Sequence, residues 1–240
     1  MIHYFEAEPK NLSFSLDNSH PKLTAADKIA AGAYWDQVRE RNPSMFDGGI
    51  YSCNSFAQDG TLVTMGVNQT SYSIYKWARD KRVHIPGTYV MGTCMFVFDK
   101  YRDAYVFVQR AENVAFDTGK ISGVGGVVDY REVGMADFGG YIQESMEKEI
   151  DEELVIAGGL QAVSLLGFYW DSDTHKTEFA YYGEARVQGI RAAENKRIVG
   201  VKRSQLANYV QQHQDQLEES TRNHLLHLIG RLGLIYQSTA

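Results

Sequence analysis

The alternation of apolar and polar residues predicts a helix and then a pair of strands at the start of the chain. Residues 23–43, "LTAADKIAAGAYWDQVRERNP", have the apolar spacing of an amphipathic helix, with Thr24 as its N-cap and Asn42-Pro43 as its stop. Apolar and polar residues then alternate on both sides of Asp59-Gly60, which is typical of a hairpin turn. We therefore expect an N-terminal module made of one helix and one β-hairpin.

Strand patterns dominate the second half of the chain. Pro86-Gly87 marks a break, and residues 88–112 then predict two strands around a turn at Lys100 to Asp103. The pattern also predicts a short helix or irregular segment at 71–83, strands at 162–171 and 177–187, and helices at 204–220 and 221–236. This order predicts an α/β (α+β) protein, with an N-terminal α/β module over residues 1–85 and a second domain over residues 86–240.

The segment "MEKEIDEELVI", residues 146–156, combines an apolar stripe with an acidic face. Met146, Ile150 and Leu154 recur at four-residue steps, so on a helix they form one buried stripe. The neighbouring carboxylates, Glu149, Glu152 and Glu153, lie within about 100° of one another on that helix.

Like charges three or four residues apart on a helix repel by a few tenths of a kcal/mol per pair, unless a cation shares them. Mg²⁺ takes oxygen ligands and is commonly held by one or two carboxylates together with substrate phosphates. The acidic face therefore favours a divalent-cation site, and the alternative is a solvated acidic helix surface.

Composition and charge restrict the classes of ligand. The chain has 240 residues, a formal net charge of -6 and a pI near 5.6, so it lacks the overall positive charge that favours nucleic acid or an anionic membrane surface. Cys53 and Cys94 lack metal-ligand spacing and are expected to be reduced core thiols. Because no signal pattern and no membrane-spanning run of about 20 apolar residues is present, we expect a cytoplasmic protein.

A strand ending in arginine, "AYVFVQR", precedes a glycine-rich "GVGG" and a helix carrying "KEIDEEL". This order of motifs resembles the Nudix hydrolase family. Lys148 stands at the arginine of the family's motif, Glu149 at the glutamate after it, and Glu152 and Glu153 at the metal-binding pair. The resemblance implies a Nudix α/β/α sandwich with a mixed sheet, preceded by the smaller N-terminal module, and Mg²⁺ as cofactor with Mn²⁺ as an alternative.

The upstream half of the motif departs from the family pattern. Gly140 stands where the motif has its first glutamate. Gly125 and Gly126 match the glycine pair of the family, and about eight extra residues lie between Gly126 and the helix. Glu144, in the first turn of the predicted helix, is the preferred replacement for that metal ligand, ahead of Asp137. Val155 replaces the glycine near the end of the motif.

The resemblance also implies roles for residues outside the acidic cluster. Glu149 and Glu153 are the predicted catalytic residues, and Glu149 and Glu178 are the candidates for the general base. Arg110, Gly125, Gly126 and Glu178 are the predicted substrate-binding residues, although exposed or strand-edge surface roles are the alternatives for Arg110 and Glu178. Tyr72, Tyr75 and Trp77 are expected either to stack on a base or to pack in the core.

The N-terminal segments narrow the resemblance further. "WDQVRERNPSMFDGG" and "SYSIYKWAR" ahead of a motif with an insertion resemble the branch that hydrolyses UDP-glucose or UDP-galactose to UMP and sugar 1-phosphate. The alternatives are hydrolysis of ADP-ribose or another nucleotide diphosphate, and a catalytically inactive nucleotide-binding module. The expected partner is a small nucleotide diphosphate, and neither a membrane nor a nucleic acid is expected.

Overall fold

The chain divides into two compact units, each assembled from separate segments. A computed structural model describes residues 2–17, 22–43, 45–85, 87–111, 117–171, 173–191 and 195–234. The first unit comprises residues 1–93, 127–145 and 167–179, and the second comprises 94–126, 146–166 and 180–240. The proposed domain division between residues 85 and 86 stays a prediction.

Helices and strands alternate along the chain, which confirms the predicted mixed α/β class. The helices are α1 (Ala25–Arg41), α2 (Tyr72–Lys81), α3 (Phe138–Glu153), α4 (Leu206–Gln212) and α5 (Glu219–Arg231). The strands are β1 (Ile2–Glu6), β2 (Leu12–Leu16), β3 (Gly49–Asp59), β4 (Leu62–Ser71), β5 (Tyr89–Asp99), β6 (Ala104–Arg110), β7 (Ile121–Ser122), β8 (Leu154–Asp171), β9 (Lys176–Ile190) and β10 (Asn195–Lys202).

Helix α1 begins and ends as its sequence predicts. The Thr24 hydroxyl accepts a hydrogen bond from the backbone N–H of Asp27, and the Asp27 carboxylate accepts one from the backbone N–H of Thr24. This reciprocal capping box satisfies two of the backbone N–H groups that a helix start leaves without partners. At the other end, the N–H of Asn42 donates to the carbonyl of Val38.

The predicted hairpin is formed by β3 and β4, with Gly60 at φ 58° in the turn. Strand β2 pairs in parallel with β4, and β1 pairs antiparallel with residues 167–171 of β8. The sequence analysis did not predict β1 or β2. Both have only five residues, and their partners lie far away in the chain, so their pairing is a tertiary event.

Two aromatic residues of α2 belong to the core of the first unit, whereas Tyr72 is half-buried. Tyr75 and Trp77 are buried, and Trp77 packs in a cluster with Ala31 and Ile85. The structure therefore supports the packing role for these two side chains. Segment 71–83, whose conformation the sequence left open, forms α2 from Tyr72 onward.

In the second unit, β6 pairs with β5, β7 and β10. The predicted turn at Lys100 to Asp103 joins β5 to β6, and Asp103 adopts φ 48° there. Apolar side chains of α4 and α5 pack against β5 and β6 in one buried cluster, which includes Phe96, Phe107 and Leu225.

The predicted helix over residues 204–220 is too long. Helix α4 ends at Gln212, because the following backbone pairs with Ile121 instead of continuing the helix. The Ile121 N–H donates to the carbonyl of Gln216, and the Glu218 N–H donates to the carbonyl of Ile121. Helix α5 is followed by Gly233 at φ 61°, so it stops before the predicted end at Tyr236, which lies outside the described residues.

The apolar stripe of the acidic segment is buried as predicted. Met146, Ile150 and Leu154 are each at most 1% exposed. Leu154, however, is the first residue of β8, so the strand begins directly after α3 without a loop. Strand β8 is therefore longer than the predicted strand, which began at Ala162.

None of the helices in the described parts of the chain is both long enough and apolar enough to cross a membrane.

His175 forms a buried polar contact in the first unit. Its Nδ1 lies 3.0 Å from the Thr88 hydroxyl, which donates to the carbonyl of Ile85, and its ring stacks on Tyr89 with centroids 5.3 Å apart. Because the Thr88 hydrogen is already used, Nδ1–H is the donor to Thr88, as in a neutral imidazole. Burial, and then the neighbouring charge of His84, lower the pKa of His175 from its usual 6.5.

This lowered pKa predicts loss of stability on mild acidification. Folding favours the neutral imidazole, so the stabilisation is fully present above about pH 6.5 and declines as the pH falls below that value. His175→Gln should flatten this part of the curve of unfolding free energy against pH, measured by chemical denaturation. An unchanged slope in His175→Gln would contradict the assignment.

Candidate functional site

The predicted carboxylates lie at the C-terminal end of α3, where they have different exposures. Glu153, the last residue of the helix, is 5% exposed. Glu149, one turn earlier, is half-buried, and Glu152 is exposed. Glu152 forms an ion pair with Lys148 at 3.6 Å, and more than half of each of these two side chains is exposed. The structure therefore separates one buried, one half-buried and one solvent-facing carboxylate.

The end of α3 is an unfavourable place for negative charge. Helix dipoles give the C-terminal end the equivalent of about half a negative charge, which adds to the repulsion among carboxylates there. No basic residue lies in the last turn of the helix itself. This electrostatic environment favours a cation near Glu149 and Glu153.

Gly126 and Glu149, both predicted from the sequence, come together in the second unit. A Cβ atom added to Gly126 would lie 2.5 Å from the Glu149 carboxylate carbon and from one of its oxygens. The Glu149 carboxylate therefore packs directly against the backbone at Gly126. A side chain at this position would displace it, which gives a physical reason for glycine there.

Backbone hydrogen bonds fix the segment that contains Gly126. The Met95 N–H donates to the carbonyl of Val124 at 2.6 Å, and the Val124 N–H donates to the carbonyl of Met95 at 3.1 Å. Gly123 is equally constrained, because an added Cβ would lie 2.4 Å from the Cys94 sulfur. The glycine-rich segment is thus held in place on β5. Gly125, half-buried, lies on the same segment.

Arg110 ends β6 in the second unit, as the sequence predicts. Its backbone N–H donates to the carbonyl of Lys120, its carbonyl accepts from Gly119, and its side chain is half-buried. Its predicted contact with a phosphate stays a prediction.

Glu144 lies in the first unit and has a cationic partner there, in an ion pair in which more than half of each side chain is exposed. Both of its carboxylate oxygens accept hydrogen bonds from the Arg131 guanidinium, at 2.9 Å and 2.7 Å, and Arg131 also lies over the Tyr141 ring. These hydrogen bonds lower the pKa of the Glu144 carboxyl. To bind a metal, Glu144 would have to exchange this bidentate partner. Asp137, the second candidate, is exposed in a short 3-10 helix.

Glu178 also lies in the first unit, where it is buried and forms an ion pair with Lys176. Removing one partner of a buried ion pair is costly, because the other charge is left in a poorly solvating environment. This arrangement gives Glu178 a structural role in addition to its predicted role in substrate binding.

Two residues near α3 were missed by the sequence analysis. Burial, and then the charge of Glu147, raise the pKa of Tyr181, so its phenol remains protonated beside the acidic helix. Arg191 contacts backbone carbonyls at the end of α3. Neither residue has a local sequence signal, because each reaches the helix only through the fold of β9.

The residues present fit a cation held by two carboxylates. Within the described residues, no group of three or more His, Cys, Asp or Glu side chains is assembled that could hold a metal ion. Glu149 and Glu153 nevertheless occupy one turn of α3, and the backbone at Gly126 cradles the Glu149 carboxylate. Two carboxylates are sufficient where substrate phosphates supply other oxygen ligands, as is usual for Mg²⁺.

At the level of sequence, no family model and no curated protein matches the chain.

Several solved structures align with parts of the chain. The MutT protein from Methanosarcina mazei Go1 is 16% identical, with a TM-score of 0.43, over 60% of this chain and 95% of its own. A NUDIX hydrolase from Nitrosomonas europaea is 13% identical, with a TM-score of 0.42, over 62% of this chain and 93% of its own. A bifunctional NMN adenylyltransferase/ADP ribose pyrophosphatase from Francisella tularensis, complexed with AMP and a Mn ion, is 10% identical, with a TM-score of 0.42, over 60% of this chain and 41% of its own.

Because Gly126 contacts Glu149, we expect that a single methyl group added at residue 126 weakens cation binding and changes folding stability only slightly. Gly126→Ala should displace the Glu149 carboxylate and weaken Mn²⁺ binding by about 10- to 100-fold, as for other changes beside metal ligands. Because the displaced group is the end of a flexible side chain, the free energy of unfolding should change by no more than about 1 kcal/mol. Titration calorimetry and denaturation measure the two quantities.

Gly230→Ala provides the matched control, since a Cβ at that helical position meets nothing within 4 Å. It should leave Mn²⁺ binding unchanged. Equal Mn²⁺ affinity in Gly126→Ala and wild type would show that the position of Glu149 does not matter for cation binding.

Proposed function

We propose that this chain is a divalent-metal-dependent hydrolase of diphosphate bonds in nucleotides, of the Nudix type. The observation that carries the proposal is the end of α3, where Glu153 is buried and the Glu149 carboxylate packs against Gly126. A helix end with this charge and shape is suited to binding a hard cation together with an anionic substrate. Nucleotide diphosphates supply the phosphate oxygens that such a site needs.

Three glutamates of α3 are the proposed metal ligands. Glu149 and Glu153 would hold Mg²⁺, or Mn²⁺ in its place. Burial of Glu153 removes bulk water from around its carboxylate, which strengthens its attraction for a cation. The fixed position of Glu149 against Gly126 lowers the entropy lost when it binds. Glu152 is the proposed third ligand, and it would have to exchange its contact with Lys148.

Hydrolysis of a diphosphate also requires a base for the attacking water and a group that contacts the phosphate. A divalent cation, when bound, neutralises charge on the diphosphate and lowers the pKa of a coordinated water. Glu149 is the proposed base that accepts a proton from the attacking water. Arg110, at the end of β6, is the proposed phosphate contact, because a guanidinium can donate two parallel hydrogen bonds to phosphate oxygens.

We propose a UDP-sugar, UDP-glucose or UDP-galactose, as the substrate, with UMP and sugar 1-phosphate as products. The support is the resemblance of the N-terminal segments and of the insertion before α3 to the UDP-sugar-hydrolysing branch. ADP-ribose fits the proposed phosphate chemistry equally well. The two substrates differ in their base, so base recognition must decide between them.

A nucleotide-binding module without turnover is the second candidate function. It is favoured by the absence of an assembled group of three metal-binding side chains among the described residues, together with Gly140 at the position of the motif's first glutamate. Binding of a nucleotide diphosphate without release of nucleoside monophosphate would identify this function.

The proposed metal site predicts unequal effects of two neighbouring substitutions. Glu153→Gln should reduce metal-dependent turnover by about 100-fold or more, because it removes a buried ligand charge. Glu152→Gln should reduce it less, since Glu152 is exposed and paired with Lys148. Without metal, Glu153→Gln should be as stable as wild type or slightly more stable, because like-charge repulsion is relieved.

These effects are measured as the rate of nucleoside monophosphate release at several Mg²⁺ concentrations, together with thermal denaturation. Wild-type activity in Glu153→Gln would eliminate the assignment of this glutamate.

The substrate proposal predicts a preference for uracil over adenine. With Mg²⁺, the purified chain should hydrolyse UDP-glucose or UDP-galactose at least about tenfold more efficiently than ADP-ribose or ADP-glucose, because a wrong base leaves buried polar groups without hydrogen bonds. Chromatography of the products measures kcat/KM for each compound. Faster hydrolysis of ADP-ribose would refute the proposed UDP-sugar substrate but would leave the proposed hydrolase activity intact. No hydrolysis of any diphosphate would favour a nucleotide-binding module without turnover.

A further inference from the structure

Arg191 contacts the C-terminal end of α3 from another element. It follows β9 directly, and its backbone N–H donates to the carbonyl of Glu153 at 2.7 Å. Its guanidinium Nη1 donates to the carbonyl of Asp151 at 2.9 Å. One residue directly after β9, the strand that neighbours β8 in the sheet, therefore binds two carbonyls in the last turn of the acidic helix.

These two carbonyls belong to the part of a helix that most needs partners. The last four carbonyls of an α-helix have no intrahelical donor, and they carry the negative end of the helix dipole. In α3 this end has no basic residue in its own last turn, and it also carries the carboxylates of Glu152 and Glu153. A guanidinium placed at this end supplies both a donor and a positive charge.

The contact also fixes the junction between α3 and β8. Glu153 is the last helical residue and Leu154 is the first strand residue, so the backbone changes conformation there without a connecting loop. The direction of the Glu153 side chain depends on the backbone at this junction. A bond to the Glu153 carbonyl and another to the Asp151 carbonyl restrain that backbone on both sides of residue 152.

We infer that Arg191 is a positioning residue, which sets the orientation of the Glu153 carboxylate and thereby the affinity of the site for a divalent cation. This inference rests on the proposed function, since it assumes that Glu153 is a metal ligand. The charge of Arg191 acts through the helix end, because its guanidinium and its backbone N–H both donate to backbone carbonyls of α3. The backbone N–H bond survives most substitutions, so the guanidinium is the part that mutation can test.

Three variants of the full chain separate positioning from general stability. Arg191→Ala removes the guanidinium, and Arg191→Lys keeps a positive charge and a donor on a flexible chain. Arg186→Ala is the matched control, because Arg186 lies on β9 shortly before Arg191 and its guanidinium sits over the Tyr101 ring, 4.8 Å from the centroid. The readouts are Mn²⁺ affinity by electron paramagnetic resonance, hydrogen exchange of the amides of residues 150–156, and the melting temperature.

Arg191→Ala should weaken Mn²⁺ binding by about tenfold, the lower end of the range for residues that orient metal ligands. It should also speed hydrogen exchange at residues 150–156, whereas Arg191→Lys should recover most of both losses. Arg186→Ala should match the wild type in both measurements.

Two results would overturn the inference. One is equal Mn²⁺ affinity in Arg191→Ala and Arg186→Ala, with or without a change in exchange, which would reduce Arg191 to a structural contact. The other is the absence of Mn²⁺ binding in the wild-type chain, measured with and without UDP as a source of phosphate oxygens, which would reject the proposed function itself. The wild-type measurement therefore distinguishes failure of the proposed function from failure of the role of Arg191.

Discussion

Negative charge at the C-terminal end of α3 is the constraint on which the proposed site depends. The helix dipole and clustered carboxylates have the same sign there, and each such unfavourable interaction costs roughly 0.3–1 kcal/mol at an exposed helix end. The chain nevertheless concentrates Glu149, Glu152 and Glu153 at this point. Lys148 and Arg191 supply positive charge from two directions, one along the helix and one from the end of β9. These two contacts offset part of the negative charge at the helix end.

Burial then gives the three carboxylates different properties. The exposed Glu152 is screened by water and by Lys148, so its interactions are weak. Glu153 is surrounded by protein, where an electrostatic interaction with a cation is stronger than in water. Glu149 lies between these extremes and is positioned by its contact with Gly126. Helical spacing alone would make the three residues appear equivalent, whereas their surroundings differ, since Glu153 is buried, Glu149 is half-buried and Glu152 is exposed.

The acidic residues assigned to the first unit are engaged differently. Glu144 accepts two hydrogen bonds from Arg131, and Glu178 pairs with Lys176 in a buried position. Both pairs are formed within the unit, so each carboxylate is already balanced by a cation of the chain. A metal-binding role for Glu144 requires breaking its pair with Arg131, which provides a structural reason to assign the cation first to Glu149 and Glu153.

The sequence by itself determined the features that depend on neighbouring residues. The capping box at Thr24, the hairpin turn at Asp59-Gly60 and the apolar stripe through Met146 and Ile150 all follow from local spacing, because helices and hairpin turns have fixed periods. The acidic face of α3 could be predicted for the same reason.

Tertiary structure decided which of those residues have distinct surroundings. Gly126 approaches Glu149, and Arg191 contacts the helix end, so these contacts join residues 23 to 40 positions apart in the chain. The burial of Glu153 likewise depends on the tertiary structure. The short strands β1 and β2 likewise depend on partners far along the chain. Such contacts are set by strand register and packing, whereas the periodicity of a single segment records only which of its own faces is apolar.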